Sequence, residues 1–524
     1  MQQFNILWTD DEIDLLKPHI LFLEKKGYKI TTANNGQDAL DLVSKTPFDL
    51  IILDENMPGI TGLETLQRIK LQVPHVPVIM ITKSEEENIM NQAVGNKIAD
   101  YLIKPVNPNQ ILIALKKHLH SDELVSQQAT DTYRKAFPNL SSEINAASSI
   151  QDWYSLYSKL VYWEMELSGA DTNMDQMLEM QQNEANLEFA KFVRRHYKDW
   201  LDNSTKPRNE ADVDTMPLMS PRVFVDTVFP LLEPERKTFF VIIDNFRLDQ
   251  WRTIQPLLAD YFTFDERLYT SILPTATQYA RNSIFSGLMP LEISRMFPEL
   301  WVDEDSDEGK NLNESPLVDT LLNRYRKKIK FSYNKINDSV AGEKLLRDFN
   351  NLLNNDLNII VLNFIDMLSH TRTESKMIRE LASTNAAYRS LTESWFKHSG
   401  TLDLFRRIAQ TGARIVLTTD HGTIRVTEPI KVVGDKNTNS NLRYKVGKNL
   451  AYNNRQVYEI KTPETYGLPS PNVSSTYIFA YGRDFFAYPN NYNHYVQYYT
   501  DTFQHGGISM QEMLVPLVTL TPKP

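Results

Sequence analysis

Cysteine is absent from all 524 residues. That excludes disulfides, thiolate zinc fingers, iron–sulfur clusters and thiol nucleophiles. Any metal must be held by Asp, Glu and His, and there are only ten His. A basic surplus is lacking too: 66 acidic against 56 basic residues give a net charge of −10, a poor basis for coating duplex DNA. No run reaches the ~18 apolar residues of a membrane span. The first residues, MQQFNILWTDDE, have neither the basic flank nor the apolar stretch of a signal peptide. What is present suffices for packed cores: 41% hydrophobic and 10% aromatic residues exclude wholesale disorder. Length and composition lead us to expect a soluble, cytoplasmic chain of about three domains with no membrane segment.

Residues 1–120 alternate strand and helix signals. FNILW, YKITTA, LIIL, PVIMI and DYLI read as strands, separated by amphipathic stretches such as IDLLKPHILFLEKK and ILIALKKHL. Five βα units imply an open parallel sheet with ligands beyond its strand carboxyl ends. Residues 121–205 change to helical spacing, with stripes Trp153, Leu156, Tyr157, Leu160, Val161 and Phe189, Phe192, Val193, Tyr197, Trp200. A small helical bundle accounts for both; a DNA-binding helix-turn-helix would need a basic face that is missing. The polar, proline-bearing segment 203–222 reads as a linker, and a third region, 206–524 with that linker included, returns to α/β character. Its strands FFVII, NIIVLNF and ARIVLTT each finish near an aspartate. The acidic stretch 303–308 reads as a solvated loop, and 423–500 as an inserted cap.

In the first region Asp10 and Asp11 follow strand one, Asp54 ends strand three, Thr82 ends strand four and Lys104 ends strand five. Three carboxylates gathered at one sheet edge would repel each other without a cation, which predicts Mg²⁺. Lys104 adds a second positive charge and Thr82 a hydroxyl for a phosphoryl oxygen. Such a pocket suits phosphoryl transfer onto Asp54. These residues, carried by TDDE, LDENMPGITG, ITKS and YLIKP, resemble the response-regulator receiver domains, which have a flavodoxin-like fold. The resemblance implies that Asp54 accepts the phosphoryl group. It further implies that Asp11, Asp54 and the Asn56 carbonyl bind the metal and that Asp10 acts through a coordinated water. Tyr101 would be the switch aromatic and Lys104–Pro105 a cis peptide. Lys83 stands where receivers usually have a small residue, which bears on phosphoryl lifetime and access.

The third region has its own set of donors. Asp244 ends VIIDNF, Asp366 precedes His370 by four residues, Asp420 and His421 follow ARIVLTT, and His505 opens HGGISMQEMLVP. Asp and His beyond strand ends suit zinc sites that keep a position open for substrate. Between them LPTATQYARNSIFSGLMP reads as a turn and then a helix starting near Thr277. A hydroxyl there sits among free N–H groups, and metal binding makes its alkoxide accessible at neutral pH. Arg281, one turn on, is a candidate phosphate contact or else a surface ion pair.

In chain order these residues resemble the alkaline phosphatase superfamily, closest to its PglZ-type members. Asp244, Thr277, Asp420 and His421 would then hold one Zn²⁺, and Asp366, His370 and His505 the other. The PTAT segment also resembles the PTKT segment of nucleotide pyrophosphatase/phosphodiesterases, which favours Thr277 as nucleophile over Thr275 and a diester over a monoester. Sulfatases are disfavoured, because their modification signature is missing. Tyr444, Tyr452, Tyr492, Tyr495, Tyr498 and Tyr499 read first as strand residues and second as a base-stacking platform.

Receiver, helical spacer and PglZ-type domain together resemble the PorX-type response regulators associated with type IX secretion. The resemblance implies a sensor histidine kinase and a sigma factor of the extracytoplasmic-function class as partners. Two functions follow. One is a two-zinc phosphodiesterase acting on oligonucleotides or cyclic oligonucleotides, organised as a homodimer by phosphorylation. The other is a zinc-binding scaffold that holds a sigma factor or nucleotide without turnover. A DNA-binding regulator lacks its output domain.

Overall fold

The computed structural model describes residues 3–83, 87–168, 172–203, 216–302, 311–434, 438–472 and 474–524. The acidic loop at 303–308 and most of the 203–222 linker lie outside these. Two compact units emerge, Met1–Asp131 and Thr132–Pro524.

In the first unit the βα rhythm becomes Asn5–Thr9 (β1), Lys17–Lys25 (α1), Lys29–Ala33 (β2), Gly36–Lys45 (α2), Leu50–Asp54 (β3), Gly62–Gln72 (α3), Val78–Thr82 (β4), Glu87–Gly95 (α4), Asp100–Ile103 (β5) and Pro108–Leu119 (α5). The strands lie in the order β2-β1-β3-β4-β5 and all run parallel. β3 and β4 are buried along their whole length, because helices cover both faces of such a sheet. Leu53, Leu66 and Met80 pack on one face, Trp8, Ile52 and Ile111 on the other. Side chains cap the helices: Thr61 and Glu64 close a capping box on α3, Asn107 and Gln110 one on α5. A Cβ on Gly62 would lie 2.3 Å from the Asp54 carbonyl oxygen, so only glycine lets α3 start against the end of β3.

The helical segment forms Ser121–Ala146 (α6), Ile150–Glu166 (α7) and Thr172–Asn203 (α8). Both apolar stripes of α7 and α8 are buried, and Trp153 packs on Phe189 and Phe192 at 5.3 and 5.9 Å between ring centres.

The main sheet of the second unit is built from Thr238–Ile243 (β6), Phe262–Thr270 (β7), Phe331–Ile336 (β8), Leu357–Leu362 (β9) and Arg414–Thr418 (β10), with a last strand supplied from the chain end. Between them the inserted segment forms short strands Ile424–Arg425 (β11), Glu428–Lys431 (β12), Tyr444–Gly447 (β13), Tyr458–Ile460 (β14), Thr476–Phe479 (β15), Asp484–Ala487 (β16) and Phe503–Gln504 (β17). Leu514–Pro522 (β18) then rejoins the main sheet. The order is β7-β18-β10-β6-β9-β8, with β18 antiparallel to both neighbours and the other pairs parallel. Sequence reading found only β6, β9 and β10. It passed over β7 (FTFDERLYT) and β8 (FSYNKI) because these edge strands are interrupted by charged and polar residues. Among the described residues, no helix is long and apolar enough to cross a membrane.

Candidate functional site

In the first unit, Asp10 and Asp54 are buried and Asp11 is exposed, yet all three offer an oxygen within 4.8 Å of one another. Lys104 follows β5, and the Lys104–Pro105 peptide is cis. Its Nζ lies 2.8 Å from Asp10 Oδ2 and 2.8 Å from Asp54 Oδ2. Burial pushes the Asp54 carboxyl up, against the opposing pull of Lys104. Burial also works against the Lys104 charge, but its two carboxylate partners outweigh it and hold the amine above the usual lysine range. Asp54 Oδ1 is buried without a hydrogen-bond partner. An oxygen-only set with an unsatisfied buried atom fits a hard divalent cation. Thr82 is fully buried at the end of β4, Tyr101 packs half-buried against the neighbouring apolar cluster, and Asn56 is exposed just past β3. Lys83 forms an exposed ion pair with Glu12 at 3.1 Å, on the residue next to Asp11.

In the second unit, β6, β9 and β10 deliver their carboxyl ends side by side. Asp244 follows β6 directly, and Asp420 and His421 follow β10. Asp366 and His370 stand one turn apart on the helix Phe364–Glu374, which begins beyond β9. His505 arrives from the cap, just after β17. The six fall into two groups, Asp244/Asp420/His421 and Asp366/His370/His505, each with its ligand atoms within 4.8 Å. The groups adjoin, since the His421 and His505 rings stack at 4.2 Å. Asn245, held at a left-handed φ of 63°, follows Asp244 and reaches across to Asp366 Oδ1 at 3.4 Å; asparagine tolerates that conformation.

Thr277 is the first residue of the helix Thr277–Ser286. Its Oγ1 lies 3.1 Å from His421 Nε2 and 3.4 Å from Asp244 Oδ1. Both inner imidazoles are oriented through Nδ1, His421 to the Gly422 carbonyl and His505 to the Thr275 carbonyl, each at 3.1 Å. A carbonyl can only accept, so Nδ1 carries the hydrogen and Nε2 offers its lone pair to the centre. Burial pushes His421 down to about 4, and burial with the neighbouring His421 pushes His505 down to about 3. The carboxyls of Asp244, Asp366 and Asp420 are all pushed up, chiefly by burial. Asp420 Oδ2 is buried with no hydrogen-bond partner. Neutral imidazoles beside desolvated carboxylates fit a metal with mixed nitrogen and oxygen ligands. His370, with 67% of its side chain exposed, marks the open side.

Two expectations change. Arg281 is not at the surface: it is 1% exposed, with Nη1 2.8 Å from Asp244 Oδ2, Nε 2.6 Å from Glu314 Oε1 and Nη1 3.8 Å from Asp420 Oδ2. Its position on the inward face of a buried helix turns it toward the carboxylates. Thr275, the fallback nucleophile, is fully buried; its hydroxyl donates to the Gly507 carbonyl at 2.9 Å and accepts from the Gly506 N–H at 3.0 Å. It joins two loops. Of the tyrosines, Tyr444 is buried, while Tyr452, Tyr492 and Tyr499 pack against apolar clusters of the cap. Tyr492, Tyr495, Tyr498 and Tyr499 share a short helix, with Tyr495 exposed.

Several supporting residues escaped the sequence reading. Ser271 Oγ donates to the Asp420 carbonyl at 2.6 Å, and Tyr269 to the Thr419 carbonyl at 2.6 Å. Glu512, wholly buried, accepts from the Gly507 N–H at 2.9 Å and pairs with buried Arg443 at 2.7 Å, which fixes the loop after His505. A lone glutamate in the apolar run ISMQEMLVP was the available signal.

Comparison with known proteins matches this layout. The model of the BREX system PglZ alkaline phosphatase-like domain matches residues 223–520, more than half of the chain. The PorX response regulator linker domain matches 123–201, and the response regulator receiver domain 6–116. The chain is a PorX-type response regulator of the PglZ family. Its receiver is similar to that of the transcriptional regulatory protein ZraR of Klebsiella oxytoca, 33% identical over 131 residues, or 25% of this chain and 30% of that protein. It is also similar to ResD of Bacillus subtilis, 31% identical over 27% of this chain and 60% of that one. The PorX-type chain thus spans from under a third to under two thirds of the length of these relatives. Among solved structures, chemotaxis protein CheY4 of Vibrio cholerae is 30% identical and covers 22% of this chain and 100% of its own, with a TM-score of 0.22. The PglZ match makes residues 223–520 an alkaline phosphatase-like domain.

Proposed function

We propose that the second unit is a two-zinc phosphodiesterase acting on oligonucleotides or cyclic oligonucleotides. The observation that carries this is Thr277 Oγ1, within 3.4 Å of Asp244 and His421 at the junction of two Asp/His groups. Asp244, Thr277, Asp420 and His421 would hold one Zn²⁺, and Asp366, His370 and His505 the other. Two bound zinc ions would supply charge to the attacking and leaving oxygens of an in-line displacement. Thr277 Oγ1 would form the bond to phosphorus as one ester oxygen leaves, the threonine proton ending on the departing alcohol; water would then cleave the threonyl phosphodiester, releasing a phosphomonoester and returning the hydroxyl. The helix that begins at Thr277 turns its free N–H groups toward the phosphate. Arg281 keeps the Asp244 carboxylate in place from behind.

In the first unit Asp11, Asp54 and the Asn56 carbonyl would hold Mg²⁺, with Asp10 acting through a coordinated water, and Asp54 would accept phosphate from a sensor histidine kinase. The added charge biases Thr82 and Tyr101 toward one arrangement and favours receiver homodimers, a population shift by local charge. Exposed Met90 and Val94 on α4, Ile103 on β5 and Ile113 on α5 supply apolar surface for such a dimer. The PorX-type layout supports a cytoplasmic role in type IX secretion, with an extracytoplasmic-function sigma factor as partner.

Zinc content and hydrolysis of a generic aryl phosphodiester test the catalytic reading. Two zinc ions per chain are expected, with turnover lost in Thr277→Ala. Bound zinc without turnover on any phosphoester would replace the enzyme by the scaffold. A doubled mass by light scattering with beryllofluoride, and not without it, is expected of the dimer.

A further inference from the structure

The helix α8 grips two segments that carry residues of the proposed metal centre of its own unit. Asn186 and Tyr197 stand eleven residues apart on it, three helical turns, so both side chains leave one face about 16 Å apart. Each is 1% exposed. The Tyr197 hydroxyl accepts the Leu273 N–H at 2.7 Å. Asn186 Oδ1 accepts the Met510 N–H at 2.8 Å, and its amide donates to Gln511 Oε1 at 3.0 Å. Leu273 opens the turn that ends in Thr277, while Met510 closes the loop that begins with His505. Between these anchor points the two segments are sewn together by the Thr275 hydroxyl, bonded to Gly506 and Gly507, and by His505 Nδ1 on the Thr275 carbonyl. One helix face therefore holds the outer ends of a stitched pair that carries Thr277 and His505 of the proposed metal centre.

We propose that Asn186 and Tyr197 are positioning residues of the metal centre, and that α8 fixes the placement of Thr277 relative to His505. The turnover part of this rests on the phosphodiesterase reading; the metal-binding part does not. Neither residue touches substrate. Removing a hydroxyl from Tyr197 frees the Leu273 end, and the loosened segments should hold zinc less tightly and reach the reactive arrangement less often, with substrate capture unchanged.

Tyr197→Phe and Asn186→Leu in the full chain test this, with zinc affinity measured by chelator competition and kcat and KM measured on an aryl phosphodiester. About a tenfold loss of zinc affinity at one site is expected in each variant, with kcat down about tenfold and KM within twofold. Tyr133→Phe is the control. It removes another buried bundle hydroxyl, whose bond to Gln181 at 3.2 Å stays inside the bundle, and should change neither quantity. Unaltered zinc affinity in both α8 variants, or an equal loss in Tyr133→Phe, would overturn the proposal. A wild-type chain that binds zinc but hydrolyses no diester would remove the catalytic reading alone, because the affinity shift still decides the role of α8.

Discussion

Lys104 touches Asp10 and Asp54 at 2.8 Å each, while Arg281 touches Asp244 at 2.8 Å and stands 3.8 Å from Asp420. Both pockets gather three carboxylates beyond the ends of parallel strands, and both set one basic side chain against two of them. They differ in what stands behind the cation. Lys104 keeps 13% of its side chain exposed and has only the pocket acids as ion-pair partners among the described residues. Arg281 is sealed in and shared with Glu314, which in turn pairs with Lys335 at 3.0 Å. The open pocket holds a point charge on a flexible stem; the sealed one holds a planar fork fixed on its carboxylates. A basic residue beside acids can thus belong to the chemistry or to the frame, and burial of its far side tells which.

Four changes would break or sharpen that contrast. Asp54→Asn should abolish acyl-phosphate formation from a small phosphodonor, with zinc content unchanged. Residual labelling at another residue would show that the first pocket is not built around Asp54. Thr277→Ala should lower kcat on the aryl diester by about 10³-fold and leave Asp54 phosphorylation intact. Arg281→Gln should destabilise the metal-free protein by roughly 3 kcal/mol, since it strands buried carboxylates, and leave KM within twofold. A KM raised tenfold or more, with stability preserved, would return Arg281 to the substrate.

The smallest effect concerns Lys445, a buried lysine with no acidic ion-pair partner among the described residues. Its Nζ donates to the Asn439 carbonyl at 2.8 Å and lies 4.6 Å from the Tyr488 ring centre; burial pushes it down to about 7. Between about pH 7 and its ordinary value of 10.5 the unfolded chain holds more protons than the folded one, so stability rises with pH across that window. Below it the cost of burying the charge is complete. Lys445→Met should therefore raise Tm by about 2–4 °C near pH 6, with the gain fading toward pH 10. A pH-independent difference would mean that the ammonium is not desolvated there. Lys104, with its two carboxylates, shifts the other way.

The receiver was legible almost residue by residue because its functional groups stand at the ends of short, purely apolar runs within one hundred residues. The residues proposed as ligands in the second unit were legible for the same reason at Asp244, Asp420 and His421. His505 belongs to a loop returning from the cap, and only its place in the chain order suggested it. The burial of Arg281 and Thr275 was not legible, because both are polar residues whose partners lie far off in sequence, Glu314 for one and Gly507 for the other. No local pattern distinguishes a buried stitch from a reactive group. The edge strands β7 and β8 were lost for a related reason: half-exposed strands carry charges that blur their period.

The grip of α8 on Leu273 and Met510 has a practical side. The stretch at 203–222 looks like the natural place to divide this chain, and a fragment starting after it would keep every proposed zinc ligand. It would also discard the acceptors for the Leu273 and Met510 N–H groups, since Asn186 and Tyr197 lie upstream. The smallest portion able to report on the chemistry begins before α7. A border drawn at that stretch lies some seventy residues past the start of α7.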